Sequence, residues 1–433
     1  MLPISFPGFD KYRFINEVFK YFDLRGEDMK ANIRDWDCIF VGDCHGDLYQ
    51  FLSPLILTGF AKFKDHEIED KYMKGTRIVP FDTYAREDLR SSLDIELTPE
   101  IEYLFKIPFI HLEYDPAVLK NRRIIYLGDY VDRGIASMTI LLLIQDIKKR
   151  TNVDIEFLIG NHEAFAINIL NRIYEENKPL HEKMLTYQNM LYTFLSNYRK
   201  MEISKEFPSI MLHGDTVVFD GDRKKGINLV FQTYKPYAKL MSTFIKQRYF
   251  KLFSSYHEFL VAHNITTKSM LRIFSSRSPF PIDEIDPTNV ELLAFAANQA
   301  FYNMPIGDLI ASGLLIQRTL EGCSFNMIVG HTVGGSKKMI GFNDIESYSN
   351  EDRWKHLIPY IPPGQTNKIY FFDFGVTFAE DEYNYSKPDF VMFKDGKPTG
   401  LSQLDAIQMS DDIQKTSRIA INKEQAALVP LKQ

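Results

Sequence analysis

Cysteine is scarce. The 433 residues hold only Cys38, Cys44 and Cys323, with neither the spacing of a CxxC zinc site nor the density of a disulfide scaffold. That points to a reducing compartment, so a cytoplasmic or other intracellular location is expected. Long apolar runs are missing too: "MTILLLI" is far too short to cross a bilayer, and "MLPISFPGFDKYRF" lacks the basic start and apolar core of an export leader. No membrane association is expected. Positive charge is not in excess, with 51 Lys and Arg against 57 Asp and Glu and a formal net charge of −6. Phosphate-backbone affinity needs clustered positive charge, so nucleic acid is not an expected partner. Internal repeats and low-complexity blocks are absent as well. What the chain does have is 45% hydrophobic residues, among them 34 Phe and 23 Tyr, enough for a sizeable core. Together with many Ile, Lys and Asn, this usage suits an AT-rich, virus-like genome.

The recurring pattern is a short β-branched or aromatic run stopped by a glycine-bearing polar cluster. "WDCIFVGDCHG", "RRIIYLGDYVDRG", "IEFLIGNHE", "FNMIVGHTVGG" and "NKIYFFDFG" each read as a buried strand ending in a turn. Between the second and third, "ASMTILLLIQDIKKR" has helical apolar spacing, an early Ser137 and a basic end at Lys148, Lys149 and Arg150. Strand, helix, strand predicts a βαβ crossover with parallel pairing. The polar clusters at the strand ends would then converge on one edge. The fold class is therefore α/β or α+β. A single domain over 1–400 is expected, with a charged, loop-rich insertion at about 61–121, a helix-rich one at about 171–256, and a polar tail at 401–433.

Carboxylates, imidazoles and one amide at strand ends are ligands that suit Mn, Fe or Zn. Asp43 and His45 alternate along what reads as an extended segment, which would aim both to one face and turn Cys44 away. Asp129 and Asp132 bracket "GDYVDRG", where Arg133 offers a planar fork for phosphate oxygens. "GNHE" adds Asn161 as a neutral oxygen ligand and His162 as a general acid.

The set GDCHG at 42–46, GDYVDRG at 128–134 and GNHE at 160–163 resembles the phosphoprotein phosphatase branch of the calcineurin-like metallophosphoesterases. The resemblance implies a β-sandwich of mixed sheets flanked by helices, with two divalent ions at one edge. It implies Asp43 and His45 on the first ion, Asp129 bridging both, and Asn161 on the second. His162 would protonate the leaving oxygen, Asp132 would orient its ring, and Arg133 would bind phosphate. A metal-bridged water would attack in line, without a phosphoenzyme. The family supplies two further histidines to the second ion. "MIVGHTVGG" assigns His331. The other normally sits in HGG, which this chain lacks; "EFLVAHNITT" offers His263 and "SIMLHGDTVVF" offers His213, and His263 is preferred because the helix and turn before it also resemble the family. Asn264 there replaces a glycine, and Asn tolerates a left-handed backbone. By the same resemblance "SGLLIQRTLEG" suggests Arg318 as a second phosphate ligand, and Asp373 supports the site from behind. "DFG" also occurs in kinases, but no glycine-rich loop, strand lysine or HRD segment accompanies it.

The expected activity is a serine/threonine protein phosphatase. A dinucleoside polyphosphate or other small-molecule phosphohydrolase would use the same metals, and a silent phosphatase-like binding protein is the third reading. The insertions are where a regulatory or structural protein partner would dock.

Overall fold

The computed structural model describes residues 22, 33, 35–64, 78–80, 108–131, 137–175, 210–213, 216–219, 237–278, 280–316, 323–333, 359–362, 364–373 and 388–403. Strand β1 (Cys38–Val41) leads to helix α1 (Leu48–Leu57), which starts where the Asp47 carboxylate accepts the Gln50 N–H at 3.1 Å. Strands β2 (Ala61–Phe63), β3 (Ile78–Pro80), β4 (Pro108–Ile110) and β5 (Leu112–Tyr114) come after it, β2 pairing with β5 and β3 with β4 apart from the main sheets. They are the strands that the first expected insertion contributes among the described residues.

Strand β6 (Arg123–Tyr126), helix α2 (Ser137–Arg150) and strand β7 (Ile155–Leu158) form the anticipated crossover, and β6 and β7 are parallel. Helix α3 (Asn161–Glu175) begins at the GNHE motif. Strands β8 (Ile210–His213) and β9 (Thr216–Phe219) make a hairpin, and residues 237–246 are helical. Next come β10 (Phe250–Lys251), β11 (Phe253–Tyr256), β12 (Phe259–Ala262), α4 (Lys268–Leu271), α5 (Val290–Phe301) and α6 (Ile306–Ala311). The chain then forms β13 (Asn326–Val333), β14 (Ile369–Asp373), β15 (Pro388–Lys394) and β16 (Lys397–Gln403).

Two mixed sheets result, in the orders β10-β7-β6-β1-β15-β16 and β11-β12-β13-β14. This corrects the boundary of the second insertion. Residues 250–256 are not part of a helical excursion but supply β10 and β11, one strand to each sheet. Residues 401–403, expected in the tail, belong to β16, while 404–433 lie outside the described residues. Among the described residues, no helix is long and apolar enough to cross a membrane.

Strand alternation builds the sandwich. Cys38 and Phe40 of β1, Ile125 of β6 and Leu158 of β7 face Phe259 and Val261 of β12, Ile328 of β13 and Phe372 of β14. The intervening residues, among them Ile39, Val41, Ile124, Tyr126 and Phe157, join the larger core beneath the helices. Phe40 packs edge-on against Tyr256 and Phe393, with centroids 5.4 and 5.1 Å away. Each such aromatic or aliphatic side chain contributes about 1.5–3 kcal/mol by leaving water.

The sandwich holds a matched network of charges. Glu156 of β7 is buried and meets the Arg123 guanidinium, while Lys251 Nζ lies 3.0 Å from its other oxygen. Arg123 also reaches Asp154 at 2.9 Å and donates to the Ser255 carbonyl at 2.7 Å. Burial pushes the Glu156 carboxyl up, but Lys251 and Arg123 outweigh it and bring the pKa from 4.5 down to about 2. Because the folded value is the lower one, this stabilisation is present above pH 4.5 and is lost as pH falls through about 2. By linkage it amounts to roughly 3 kcal/mol. Melting temperature measured against pH should show a steep acid limb that is shallower in Glu156→Gln; identical limbs would refute the assignment.

Candidate metal centre

The parallel strands β1, β6 and β7 of one sheet, and β12 and β13 of the other, deliver their polar clusters to one edge. Asp43 and His45 follow β1, Asp129 follows β6, Asn161 and His162 open α3 after β7, His263 follows β12, and His331 lies within β13. All seven are buried except His331, which is partly exposed. Asp129 lies at the centre. One group that could hold an ion comprises His45, Asp129 and His162, and another comprises Asp129, His263 and His331.

Backbone conformation places these side chains. His45, Asp129 and His331 have φ of 43°, 51° and 56°, in the left-handed region that L side chains seldom occupy. Such strain persists only where the surroundings over-determine it. His45 and Gly46 form a turn, closed by the Asp47 N–H on the Cys44 carbonyl at 2.7 Å, where sequence predicts an extended segment; Cys44 is nonetheless buried in the core, pointing to Gly42 O at 3.6 Å. Asn264 also departs from expectation, because it is not among the positive-φ residues. The chain leaves β12 without needing a left-handed residue, so the glycine of HGG is not required here.

Glycines make the close approaches possible. A Cβ on Gly160 would lie 2.0 Å from Asp129 Oδ1, and one on Gly330 would lie 2.3 Å from Asp43 Oδ1. Both carboxylates lean on bare backbone. The His331 N–H donates to both Asp43 oxygens at 3.0 Å, and the His162 N–H donates to Asp129 Oδ1 at 3.0 Å.

The donor set fits a cation. His263 Nδ1 lies 2.8 Å from the Leu127 carbonyl, which can only accept, so Nδ1 carries a proton. Burial lowers the His263 pKa despite the pull of Asp129, which favours the neutral ring. Its Nε2 lone pair then faces Asn161 Oδ1 at 3.0 Å and Asp129 Oδ1 at 3.5 Å, three lone pairs around a space that suits a positive ion. His45 repeats the device: Nδ1 donates to the Val131 carbonyl at 3.2 Å and leaves Nε2 3.7 Å from Asp129 Oδ2. His162 Nε2 lies 3.8 Å from that same oxygen. Burial works against the Asp129 carboxylate, yet positive charge on the His263, His162, His45 and His331 rings lowers its pKa well below the ordinary range, the same service a bound cation would give with the rings neutral. Deprotonated carboxylate and neutral imidazole are the states a metal takes.

Not every expected residue can be placed. Asp132, Arg133 and Arg318 lie outside the described residues. His213 and Asp373 end β8 and β14, but their side chains are not described. Sequence reasoning gives Glu163 no role. Glu163 is fully buried, and its carboxylate accepts N–H bonds from Asp129 (3.0 Å), Tyr130 (2.8 Å), Val131 (3.2 Å) and Gly160 (2.9 Å). An acid three residues after the residue that precedes and caps a helix, reaching back to its N–H, is half of a capping box, and that signal is present in GNHE. Burial and the Asp129 charge push its pKa up, while the His162 ring and the N–H groups of Gly160 and Val131 favour the ionised form, the one in which each oxygen can accept two N–H donors.

Residues 102–277 match the family model described as calcineurin-like phosphoesterase, a span that includes GDYVDRG, GNHE and His263. The matched segment is similar to calcineurin-like phosphoesterases, a family whose chemistry is metal-dependent phosphoester hydrolysis. Among solved structures, the phosphatase domain from the Legionella effector WipB is 13% identical, over 68% of this chain and 99% of that one, with a TM-score of 0.34. No curated protein matches.

Proposed function

We propose that the protein is a binuclear metal phosphomonoesterase, and that phosphoserine and phosphothreonine in proteins are its substrates. The observation that carries this reading is the sharing of Asp129 by two potential ion sites, one with His45 and His162 and one with His263 and His331. Asp43 would complete the first and Asn161 the second. Divalent ions held there would polarise phosphoryl oxygens and acidify water.

The chain's own groups would do the rest. His162 sits in the first turn of α3, its ring edge-on to His45 at 4.7 Å and beside Asp129. A protonated imidazole in that place can hand its proton to a departing alkoxide oxygen. The α3 N-terminus adds a partial positive charge on the side where a phosphate would sit. Arg133 and Arg318 are proposed to grip the phosphate oxygens, and Asp132 to orient His162.

The test is hydrolysis by the Mn-loaded protein of phosphoserine and phosphothreonine peptides beside diadenosine tetraphosphate. Phosphopeptides are the expected preferred substrates. Preference for the dinucleotide would move the assignment to a small-molecule phosphohydrolase. Failure to bind Mn, with no turnover of p-nitrophenyl phosphate, would leave a silent scaffold.

A further inference from the structure

Three consecutive backbone N–H groups, those of Asp129, Tyr130 and Val131, point at one carboxylate, that of Glu163. Successive N–H groups around a left-handed residue form an anion-binding concavity, and here Asp129 supplies the left-handed residue at φ 51°. The anion in it is internal. It comes from the next motif along the chain, and through Gly160 N–H the same carboxylate also fixes the start of α3. The loop after β6 and the helix after β7 are thus tied at one point, next to the residue shared by both ion groups.

We propose that Glu163 is the positioning residue of this centre: by gathering those four N–H groups it holds the strained turn that aims the Asp129 carboxylate between His45 and His263. The proposal rests on the metal-centre reading above, and it acts through Asp129 without Glu163 touching an ion. A glutamine keeps the shape of Glu163 but replaces one oxygen with an NH2 donor, which must face N–H groups that are themselves donors. Space-filling alone would make that exchange silent; positioning makes it costly.

The experiment is Mn binding by calorimetry to wild type and Glu163→Gln, together with circular dichroism and p-nitrophenyl phosphate kinetics at rising Mn. The expected variant is folded, binds Mn about 10–100-fold more weakly, and regains activity as Mn is raised, with the substrate KM unchanged. A folded Glu163→Gln with wild-type Mn affinity overturns the proposal, even if its melting temperature drops. Should that variant not fold, Glu163→Asp keeps the charge and shortens the reach; weakened Mn binding supports the proposal and wild-type affinity overturns it. Binding is read without substrate, so wild type that takes up Mn but hydrolyses nothing refutes the proposed activity alone. Wild type that binds no Mn overturns both.

Discussion

Asp129→Asn is expected to lower phosphomonoesterase activity by on the order of a thousandfold while leaving the circular dichroism spectrum unchanged. A bridging metal ligand underpins several kcal/mol of charge stabilisation in the transition state, and each 1.4 kcal/mol or so is tenfold in rate. Asparagine matches the aspartate in size and keeps an oxygen to accept the His162 N–H that Asp129 Oδ1 now takes. What it lacks is the negative charge that His45, His162, His263 and His331 surround. A thermal shift provides the independent readout. Mn should raise the melting temperature of wild type by preferential binding to the folded state and should do so far less for the variant. Turnover and Mn-induced stabilisation equal to wild type would remove Asp129 from the centre.

Gly160→Ala should be nearly as damaging, for a steric reason. The added methyl would stand 2.0 Å from Asp129 Oδ1 and 2.4 Å from the Asp129 backbone nitrogen. Carbon and oxygen in van der Waals contact need roughly 3 Å or more, and backbone cannot swing aside as a flexible side chain can. Either the Asp129 turn or the start of α3 must move, and a misplacement of about 1 Å at a catalytic constellation costs roughly a hundredfold. Mn affinity and kcat are expected to fall together by at least that factor. The contrast is Gly59, where an added Cβ would meet nothing within 4 Å. Its substitution should leave Mn affinity alone despite the positive φ there. A Gly160→Ala protein with normal Mn affinity would show that the loop is softer than the close packing implies.

The sequence by itself disclosed the strands and the polar turns that end them. Apolar runs stopped by GDCHG, GDYVDRG and GNHE were legible because buried strands demand continuous apolar residues and the turns after them demand glycine. The β6-α2-β7 crossover was legible for the same local reason. Contacts between distant segments were not. β1 pairs on one side with β6 and on the other with β15, Val41 lying opposite Phe390, and no local pattern states which of several apolar runs is the partner. β10 and β11 were hidden in an apparent helical insertion because a two-residue strand and a four-residue strand carry almost no periodicity.

The histidine proposed for the second ion shows the division most clearly. His213 and His263 each close a short strand, and residue type and spacing leave both open. The tertiary structure puts His263 against Leu127 O, Asn161 and Asp129, because β12 runs parallel to β13 and finishes at the shared edge of the sandwich. Glu163 is the converse case. Its letter was in plain view, but its role depends on N–H groups 32 to 34 residues earlier turning toward it, and backbone N–H groups, present at nearly every residue, leave no mark in a sequence. Which chemical groups are available depends on composition and order along the chain; which of them meet depends on strand pairing, and that is decided only when the two sheets close on each other.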